Sequence, residues 1–229
     1  MQNIVIFFQM LIGVYTTDPN KVKVAKKLET LSYVEMLDIA NEGAKVLHNR
    51  CIEVGQKFKI PIITKSTFNN KEGTQVIDKI EDTKVKSIVK NDDIILVNLK
   101  YENYSITLFN QVYSCLLDNE IIPLNFINYS NFTLDVRFTI KATDLNKFQN
   151  ILNSELKMFN STFSNITKIA IIGHGIMNDD NILRNTVKIL KLNGLEPFNI
   201  ETNESKISLT FKEKLSNSIL EELHNELIK

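Results

Sequence analysis

The feature that most constrains the fold is an internal repeat after residue 84, in which one order of predicted elements occurs twice. The residue pattern of each copy predicts a strand, a helix, two strands and a further helix, in that order. In the first copy these elements lie at residues 94–99, 105–118, 124–127, 132–140 and 144–156. In the second copy they lie at residues 168–172, 181–192, 198–201, 207–211 and 213–228. This order is typical of a ferredoxin-like fold, in which two helices pack on one face of an antiparallel sheet.

Three of the predicted helices carry an apolar stripe that identifies the side facing the core. Apolar side chains three or four positions apart lie on one side of a helix. The stripes are Phe109, Val112, Tyr113 and Leu116, then Leu145, Phe148, Leu152 and Leu156, then Leu215, Ile219, Leu223 and Leu227. We interpret these side chains as core and not as a cofactor-binding surface.

A different pattern precedes the repeat. Residues 4–12 form an apolar run. The run lacks the basic leader and the small-residue cleavage site of a signal peptide, and it is too short to span a bilayer. We therefore predict a buried strand. Ser32 and Glu35 have the spacing of a capping box, which predicts a helix that begins at Ser32.

The predicted helix has an irregular end. Its apolar side chains recur at helical spacing, while Gly43 interrupts the pattern and indicates a break or a close approach. The apolar side chains are Leu37, Ala40, Ala44 and Leu47. A second helix is predicted at residues 51–58 and a short strand at residues 60–64.

The charge balance excludes several classes of partner. The 27 basic and 27 acidic residues cancel, so the sequence predicts neither a nucleic-acid partner nor a membrane partner and favours small molecules or protein as partners.

The cysteines and histidines give no sign of a disulfide or a metal site. Cys51 and Cys115 lie far apart in the sequence, which fits neither a disulfide scaffold nor a zinc site and indicates a reducing cytoplasm. The histidines, at positions 48, 174 and 224, have no companion at metal-ligand spacing, so we predict that they are structural or exposed and that the chain has no metal site of its own.

Several motifs occur in a fixed order between residues 13 and 74. They are Gly13-Val-Tyr-Thr-Thr-Asp-Pro19, Leu31-Ser-Tyr-Val-Glu-Met-Leu37, Gly43-Ala-Lys-Val-Leu-His48 and Gly73-Thr74. This order resembles the closing segment of the catalytic domain of aspartate kinases. The resemblance implies an α/β fold with a partial amino-acid-kinase αβα domain at residues 1–76. Two tandem ferredoxin-like (βαββαβ) ACT domains are then expected at residues 84–157 and 158–229.

The resemblance also implies a reaction. Aspartate kinases transfer the γ-phosphoryl group of ATP, bound with Mg²⁺, to the side-chain carboxylate of L-aspartate, which gives 4-phospho-L-aspartate in lysine, threonine and methionine biosynthesis. By motif matching, Tyr15, Lys45 and Val46 fall on nucleotide-site positions of that family.

The sequence departs from the family immediately before Gly13. The family's Thr-Asp-Val-Asp is replaced by Gln9, Met10, Leu11 and Ile12, and the opening Lys-Phe-Gly-Gly phosphate loop has no counterpart. Because these groups supply most of the charge compensation in phosphoryl transfer, we expect the isolated chain to be inactive.

In the family, the ACT pair binds a feedback amino acid, commonly lysine or threonine. The corresponding positions here are Ser105, Asn125, Ser130 and Asn131, whose side chains can hydrogen-bond an ammonium and a carboxylate group. Asn131 stands where lysine-sensitive members have a glutamate, which removes a charged partner for lysine.

Three functions are compatible with this sequence. The first is an N-terminally truncated aspartate kinase that carries the regulatory ACT pair. The second is a non-catalytic regulatory subunit that senses an amino acid, and the third is a free-standing ACT amino-acid-binding protein. The expected partners are the effector and either a second copy, joined through the ACT domains, or a full-length kinase.

Overall fold

The computed structural model describes residues 4–10, 12–68, 71–78, 84–103, 105–130 and 133–228, and only the backbone of residues 124–130. The N-terminal elements are β1 (Val5–Gln9), β2 (Thr30–Ser32), α1 (Tyr33–Asn41), α2 (Asn49–Phe58), β3 (Ile62–Ser66) and β4 (Thr74–Ile77). They are followed by β5 (Ser87–Tyr101), α3 (Ile106–Asp118), β6 (Leu124–Ser130), β7 (Leu134–Lys141), α4 (Leu145–Ser154), β8 (Asn160–Ile172), α5 (Asp180–Leu192), β9 (Asn199–Asn203), β10 (Lys206–Phe211) and α6 (Asn217–Leu227). None of the described helices is both long and apolar enough to cross a membrane.

The chain divides into two compact units. The first unit comprises Met1–Asn91, Lys168–Phe211 and Leu215–Lys229, and the second comprises Asp92–Thr167 with Lys212–Lys214. The predicted domain boundaries followed the repeat, whereas the units divide inside β5 and β8. These strands are long, with 15 and 13 residues, and each contributes residues to both units.

The N-terminal part of the first unit contains a four-stranded sheet with the order β1-β3-β4-β2. Strand β1 pairs with β3 in parallel, β3 with β4 antiparallel, and β4 with β2 in parallel. The predicted strand at the N-terminus is confirmed, but its predicted burial is wrong, since Phe8 is 66% exposed. The reason is that β1 lies at the edge of the sheet and has a single neighbour there.

The capping box at the start of α1 is confirmed. The backbone N–H of Glu35 donates to Ser32 Oγ at 3.1 Å, and Glu35 Oε2 accepts from the Ser32 N–H at 2.8 Å. The helix ends at Asn41, which confirms the break predicted at Gly43, and Ala44 and Leu47 lie beyond the helix. Gly43 has φ of +101°, a conformation that favours glycine and ends the helix.

The C-terminal part of the first unit is ferredoxin-like. Strand β10 pairs antiparallel with β9 and lies beside β8, while α5 and α6 supply the apolar side chains that cover one face. Ile169 and Ile171 of β8 belong to this core. Ala170 and Ile172 point to the opposite face and belong to the apolar cluster that contains Met36 of α1. Helix α1 therefore packs on the second face of the ferredoxin-like sheet.

The second unit is the other ferredoxin-like part. Its sheet contains β6, β7 and β5 in that order, and both strand pairs are antiparallel. Helices α3 and α4 cover one face, where Phe148 meets Phe138 edge-on with ring centroids 5.6 Å apart. The predicted α/β class and the repeated strand and helix order are confirmed.

Candidate functional site

The two ends of the motif-bearing segment meet in space. Thr74 Oγ1 accepts a hydrogen bond from the Val14 N–H at 2.8 Å and donates one to the Leu28 carbonyl at 2.6 Å. A Cβ atom on Gly13 would lie 2.5 Å from the same oxygen, which leaves no room for a side chain at that position. These contacts hold the loop at residues 13–17 against β4.

Tyr15 lies in this loop and is half-buried. Its backbone forms a bridge with Lys27, and its carbonyl accepts from Ser87 Oγ at 3.4 Å. The Thr16 N–H donates to the Lys26 carbonyl at 2.8 Å. The N–H groups of Val14 and Thr16 are therefore already engaged within the fold.

Lys45 and Val46 lie in the turn between α1 and α2. Lys45 is exposed, while Val46 is half-buried and packs against the apolar cluster that contains Val14. The structure thus brings the segments around Tyr15 and Val46 to one cluster.

The loop at residues 13–17 does not offer the N–H groups of Val14 and Thr16 to a ligand. A triphosphate needs free backbone N–H groups or cations directed at its oxygens, and the two loop amides described above are occupied. These two amides are therefore not free to bind a phosphate oxygen. Among the residues that the structure describes, no group of three or more His, Cys, Asp or Glu comes together as a metal-ligand set.

Two cavities lie on the N-terminal sheet, and their lining does not include Tyr15, Lys45 or Val46. One of about 280 Å³ is lined by Glu29, Thr30, Ile63, Lys65, Glu72, Gly73 and Gln75. The other, of about 470 Å³, is lined by Ile4, Tyr33, Lys59, Pro61, Ile63, Gln75, Ile77 and Asp78. The sequence carried no signal for them, because strand register decides which side chains share a face.

A buried charge cluster joins α1 to the ferredoxin-like sheet of the first unit. The Glu42 carboxylate contacts Lys168 Nζ at 3.0 Å and Lys206 Nζ at 2.6 Å. Asp38 lies one helical turn before Glu42 and accepts from Ser205 Oγ at 2.6 Å. Burial alone would lower the pKa of Lys206, but the carboxylates of Glu42 and Asp38 raise it above its ordinary value. Lys206 is therefore charged in the folded protein.

A second contact reaches the candidate nucleotide loop. Thr16 Oγ1 and His224 Nε2 of α6 lie 2.8 Å apart and are hydrogen-bonded, and both side chains are buried. Burial lowers the pKa of His224. This geometry confirms the structural role predicted for His224 and places it against the loop, which its isolated position in the sequence did not indicate.

The predicted effector residues belong to the second unit. Ser105 is the N-cap of α3, and its Oγ accepts from the Leu108 N–H at 3.4 Å. Asn125 lies in β6 where the pairing with β7 shifts register, and Ser130 pairs with Leu134 at the end of that strand. Asn131 lies outside the described residues.

Comparisons with known proteins agree with these observations. A family model described as the amino acid kinase family matches residues 3–66. An aspartokinase from Geobacillus stearothermophilus is 31% identical over 219 residues, with 93% of this chain and 53% of the relative covered. One from Helicobacter pylori (strain ATCC 700392 / 26695) is 28% identical over 224 residues, with coverages of 93% and 55%. The chain thus spans about half the length of the curated relatives it matches.

Solved structures show the same fold. Escherichia coli aspartokinase III in complex with aspartate and ADP superposes with a TM-score of 0.81 at 21% identity, covering 99% of this chain and 53% of that chain. The regulatory subunit of aspartate kinase from Thermus thermophilus superposes with a TM-score of 0.55 at 17% identity. In that case 63% of this chain and 99% of that chain are covered.

Proposed function

The chain belongs to the aspartokinase family, and from this premise we propose that it is the part of an aspartokinase that carries the regulatory ACT domains and one wall of the nucleotide site. The observation that carries the proposal is the buried contact of Glu42, on the kinase-like segment, with Lys168 and Lys206 of the ferredoxin-like sheet. This contact joins the segment that matches the amino acid kinase family to a ferredoxin-like sheet, which supports the proposal.

The proposed reaction belongs to the complete enzyme. It is the ATP-dependent phosphorylation of L-aspartate to 4-phospho-L-aspartate, the first step of lysine, threonine and methionine biosynthesis, and we place it in the cytoplasm. Bound ATP with Mg²⁺ supplies the phosphoryl group. Tyr15, Lys45 and Val46 are proposed to line one side of the nucleotide. This chain alone is proposed to be inactive, because the N–H groups of Val14 and Thr16 are engaged within the fold and are not free for the phosphates.

The proposed regulatory ligand is an amino acid, lysine or threonine. Escherichia coli aspartokinase III has also been solved in complex with lysine and aspartate, which supports this class of ligand. We assign the contacts to Ser105, Asn125, Ser130 and Asn131. The Ser105 oxygen accepts the capping bond of α3, and its hydroxyl hydrogen can donate to a ligand carboxylate.

A non-catalytic regulatory subunit is the second candidate. The likeness to the Thermus thermophilus regulatory subunit favours it, since nearly the whole of that chain is covered. In this case the protein pairs with a full-length kinase or with a second copy through its ACT domains. A free-standing ACT amino-acid-binding protein, which would work without a kinase, is the third candidate.

Ligand-induced stabilisation tests the regulatory proposal. Unfolding of the full chain is followed with lysine, threonine and methionine in separate titrations. A ligand at 100 times its Kd adds about 2.7 kcal/mol to the free energy of unfolding, so at least one amino acid should raise the melting temperature. Ser105→Ala removes the hydroxyl donor and should weaken this shift.

The control for this experiment is Ser154→Ala. Ser154 belongs to the same unit and donates from Oγ to the Asn150 carbonyl at 3.0 Å, so its replacement should leave the ligand shift unchanged. Failure of all three amino acids to stabilise the protein would contradict the regulatory function.

A further inference from the structure

The turns that end helices α3 and α5 have the same geometry in the two ferredoxin-like parts. Asn119 caps α3 and Asn193 caps α5, and each donates from Nδ2 to the carbonyl four residues earlier, at 2.9 Å and 3.0 Å. The next residue has a positive φ in both turns, +54° at Glu120 and +64° at Gly194. Its N–H donates to the carbonyl three residues earlier, at 2.8 Å and 3.1 Å. The turns thus differ in chemistry because one asparagine precedes a glutamate and the other precedes a glycine.

An asparagine that precedes a glycine is prone to lose its side-chain amide. The backbone nitrogen of the glycine attacks Cγ of the asparagine, a C–N bond forms, and Nδ2 leaves as ammonia with the proton of the glycine N–H. Water then opens the cyclic succinimide to aspartate or isoaspartate. Glycine favours ring closure because it has no Cβ and its backbone rotates freely. Asn193-Gly194 is the single Asn-Gly pair in the sequence.

The end of α5 is open to this reaction. Asn193 and Gly194 are exposed, and the preceding Leu192 is 76% exposed. A Cβ atom on Gly194 would meet no other atom within 4 Å, so there is room for the turn to rearrange. The Gly194 N–H donates to the Lys191 carbonyl, so ring closure requires this turn to open. Frayed ends of helices open at a small cost in free energy.

Helix α6 restrains the same amide. Asn193 Nδ2 donates to Glu222 Oε2 of α6 at 2.8 Å, in addition to its bond with the Ile189 carbonyl. Nδ2 is the leaving group of the reaction, and both bonds resist the side-chain rotation that brings Cγ to the backbone nitrogen. The bond to Glu222 is charge-assisted, which makes it the stronger kind. It joins the end of α5 to a different helix.

We propose that Asn193 is a deamidation site that Glu222 restrains, and that its conversion to an acid loosens the contact between α5 and α6. The new carboxylate stands where Nδ2 donated, so it meets the Glu222 carboxylate and the Ile189 carbonyl, and neither can donate to it. Like charges repel each other. A negative charge is also unfavourable at the C-terminal end of a helix. The reaction requires water and no other reactant, so it does not depend on the proposed function.

Peptide mass spectrometry of the full chain tests the site. The purified protein is incubated in neutral buffer below its melting temperature, and the conversion of each asparagine to an acid is followed with time. Asn119 is the internal control, because its turn has the same geometry. Asn193 should convert about tenfold faster than Asn119, since Glu120 carries a Cβ and Gly194 does not.

Two variants on α6 test the restraint. Glu222→Ala removes one acceptor of the Asn193 amide and should raise the conversion rate at Asn193 about threefold. Glu226→Ala is the matched control. Glu226 joins the same two helices, since it accepts from Asn185 Nδ2 at 2.8 Å, but it does not bond Asn193. This substitution should leave the conversion rate unchanged.

Thermal unfolding tests the consequence. Asn193→Asp should lower the melting temperature of the chain. Adding Glu222→Gln to this variant should recover most of the loss, because the glutamine amide can donate to the new carboxylate. All of these substitutions change exposed side chains, and a cooperative unfolding transition shows that each variant is folded.

Each part of the proposal can fail separately. Equal conversion rates at Asn193 and Asn119 overturn the deamidation site. A rate at Asn193 that Glu222→Ala leaves unchanged, or that Glu226→Ala raises equally, overturns the restraint by Glu222. A melting temperature of Asn193→Asp equal to that of the unsubstituted chain overturns the loosening of α6.

Discussion

At the scale of single residues, His224 connects the C-terminal helix to the candidate nucleotide loop. Burial lowers its pKa and nearby Lys26 lowers it further, while Asn225 and Glu221 act in the opposite direction. The folded protein therefore favours the neutral imidazole. As the pH falls below about 6.5, the ordinary pKa of histidine, the unfolded chain takes up the proton first.

We predict that this histidine makes the protein less stable in mild acid. The free energy of unfolding should decrease from about pH 6.5 down to the lowered pKa, with a slope of at most about 1.4 kcal/mol per pH unit. His224→Gln keeps a hydrogen-bonding group near Thr16 but does not titrate, so it should reduce this slope. Urea denaturation at several pH values measures the effect.

The exposed His174 provides the control for this prediction. His174 is exposed, so His174→Gln should leave the change of the free energy of unfolding with pH as it is in the unsubstituted chain. An unchanged slope in His224→Gln would show that another group causes the pH dependence.

At the scale of elements, the contact of α1 with β8 and β10 depends on Glu42. Its carboxylate faces two ammonium groups, and the Glu42 side chain is only 6% exposed. Loss of one partner from a buried cluster leaves the remaining charges uncompensated. The helix therefore relies on this residue for its position on the sheet.

We predict that Glu42→Gln lowers the free energy of unfolding by about 3 kcal/mol. Glu29→Gln is the matched control, because Glu29 is 71% exposed and its pair with Lys27 lies at the surface. That substitution should cost less than about 1 kcal/mol. Chemical denaturation of both variants tests the comparison, and equal effects would refute a structural role for the buried cluster.

The same helix shows what the sequence could predict. The start of α1 was predictable because the capping box involves Ser32 and Glu35, which are close in the chain. The partners of Glu42 were not, because Lys168 and Lys206 are brought to it by strand register and by the packing of a distant sheet. The exposure of β1 was missed for a related reason, since a run of apolar residues does not reveal whether its strand has one neighbour or two.

At the scale of the whole molecule, the family and the order of elements could be predicted, and the predicted domain boundaries stay predictions. The motifs from Gly13 to Thr74 are short and recognisable, and the repeat has a clear period. The assignments of Tyr15, Lys45 and Val46 remain predictions. The assignment of Ser105, Asn125, Ser130 and Asn131 to an amino-acid effector also remains a prediction, and Asn131 lies outside the described residues.

We predict that the purified chain forms no aspartyl hydroxamate from ATP, Mg²⁺ and L-aspartate in the presence of hydroxylamine. The physical reason is that the loop amides of Val14 and Thr16 are engaged within the fold and cannot compensate phosphate charge. An aspartokinase assayed in parallel confirms that the reagents work. Hydroxamate formation by this chain alone would disprove the expectation.

The division of β5 and β8 between the units has a consequence for synthesis on the ribosome. The segment Asp92–Thr167, which makes up nearly all of the second unit, is continuous in sequence, whereas the first unit needs Met1–Asn91 together with residues after Lys168. Domains usually complete folding from the N-terminus onwards as the chain emerges. Here the inserted unit can fold first, while α1 waits for Ala170 and Ile172 to be translated. Helix α1 is thus among the last parts of the first unit to reach its final environment.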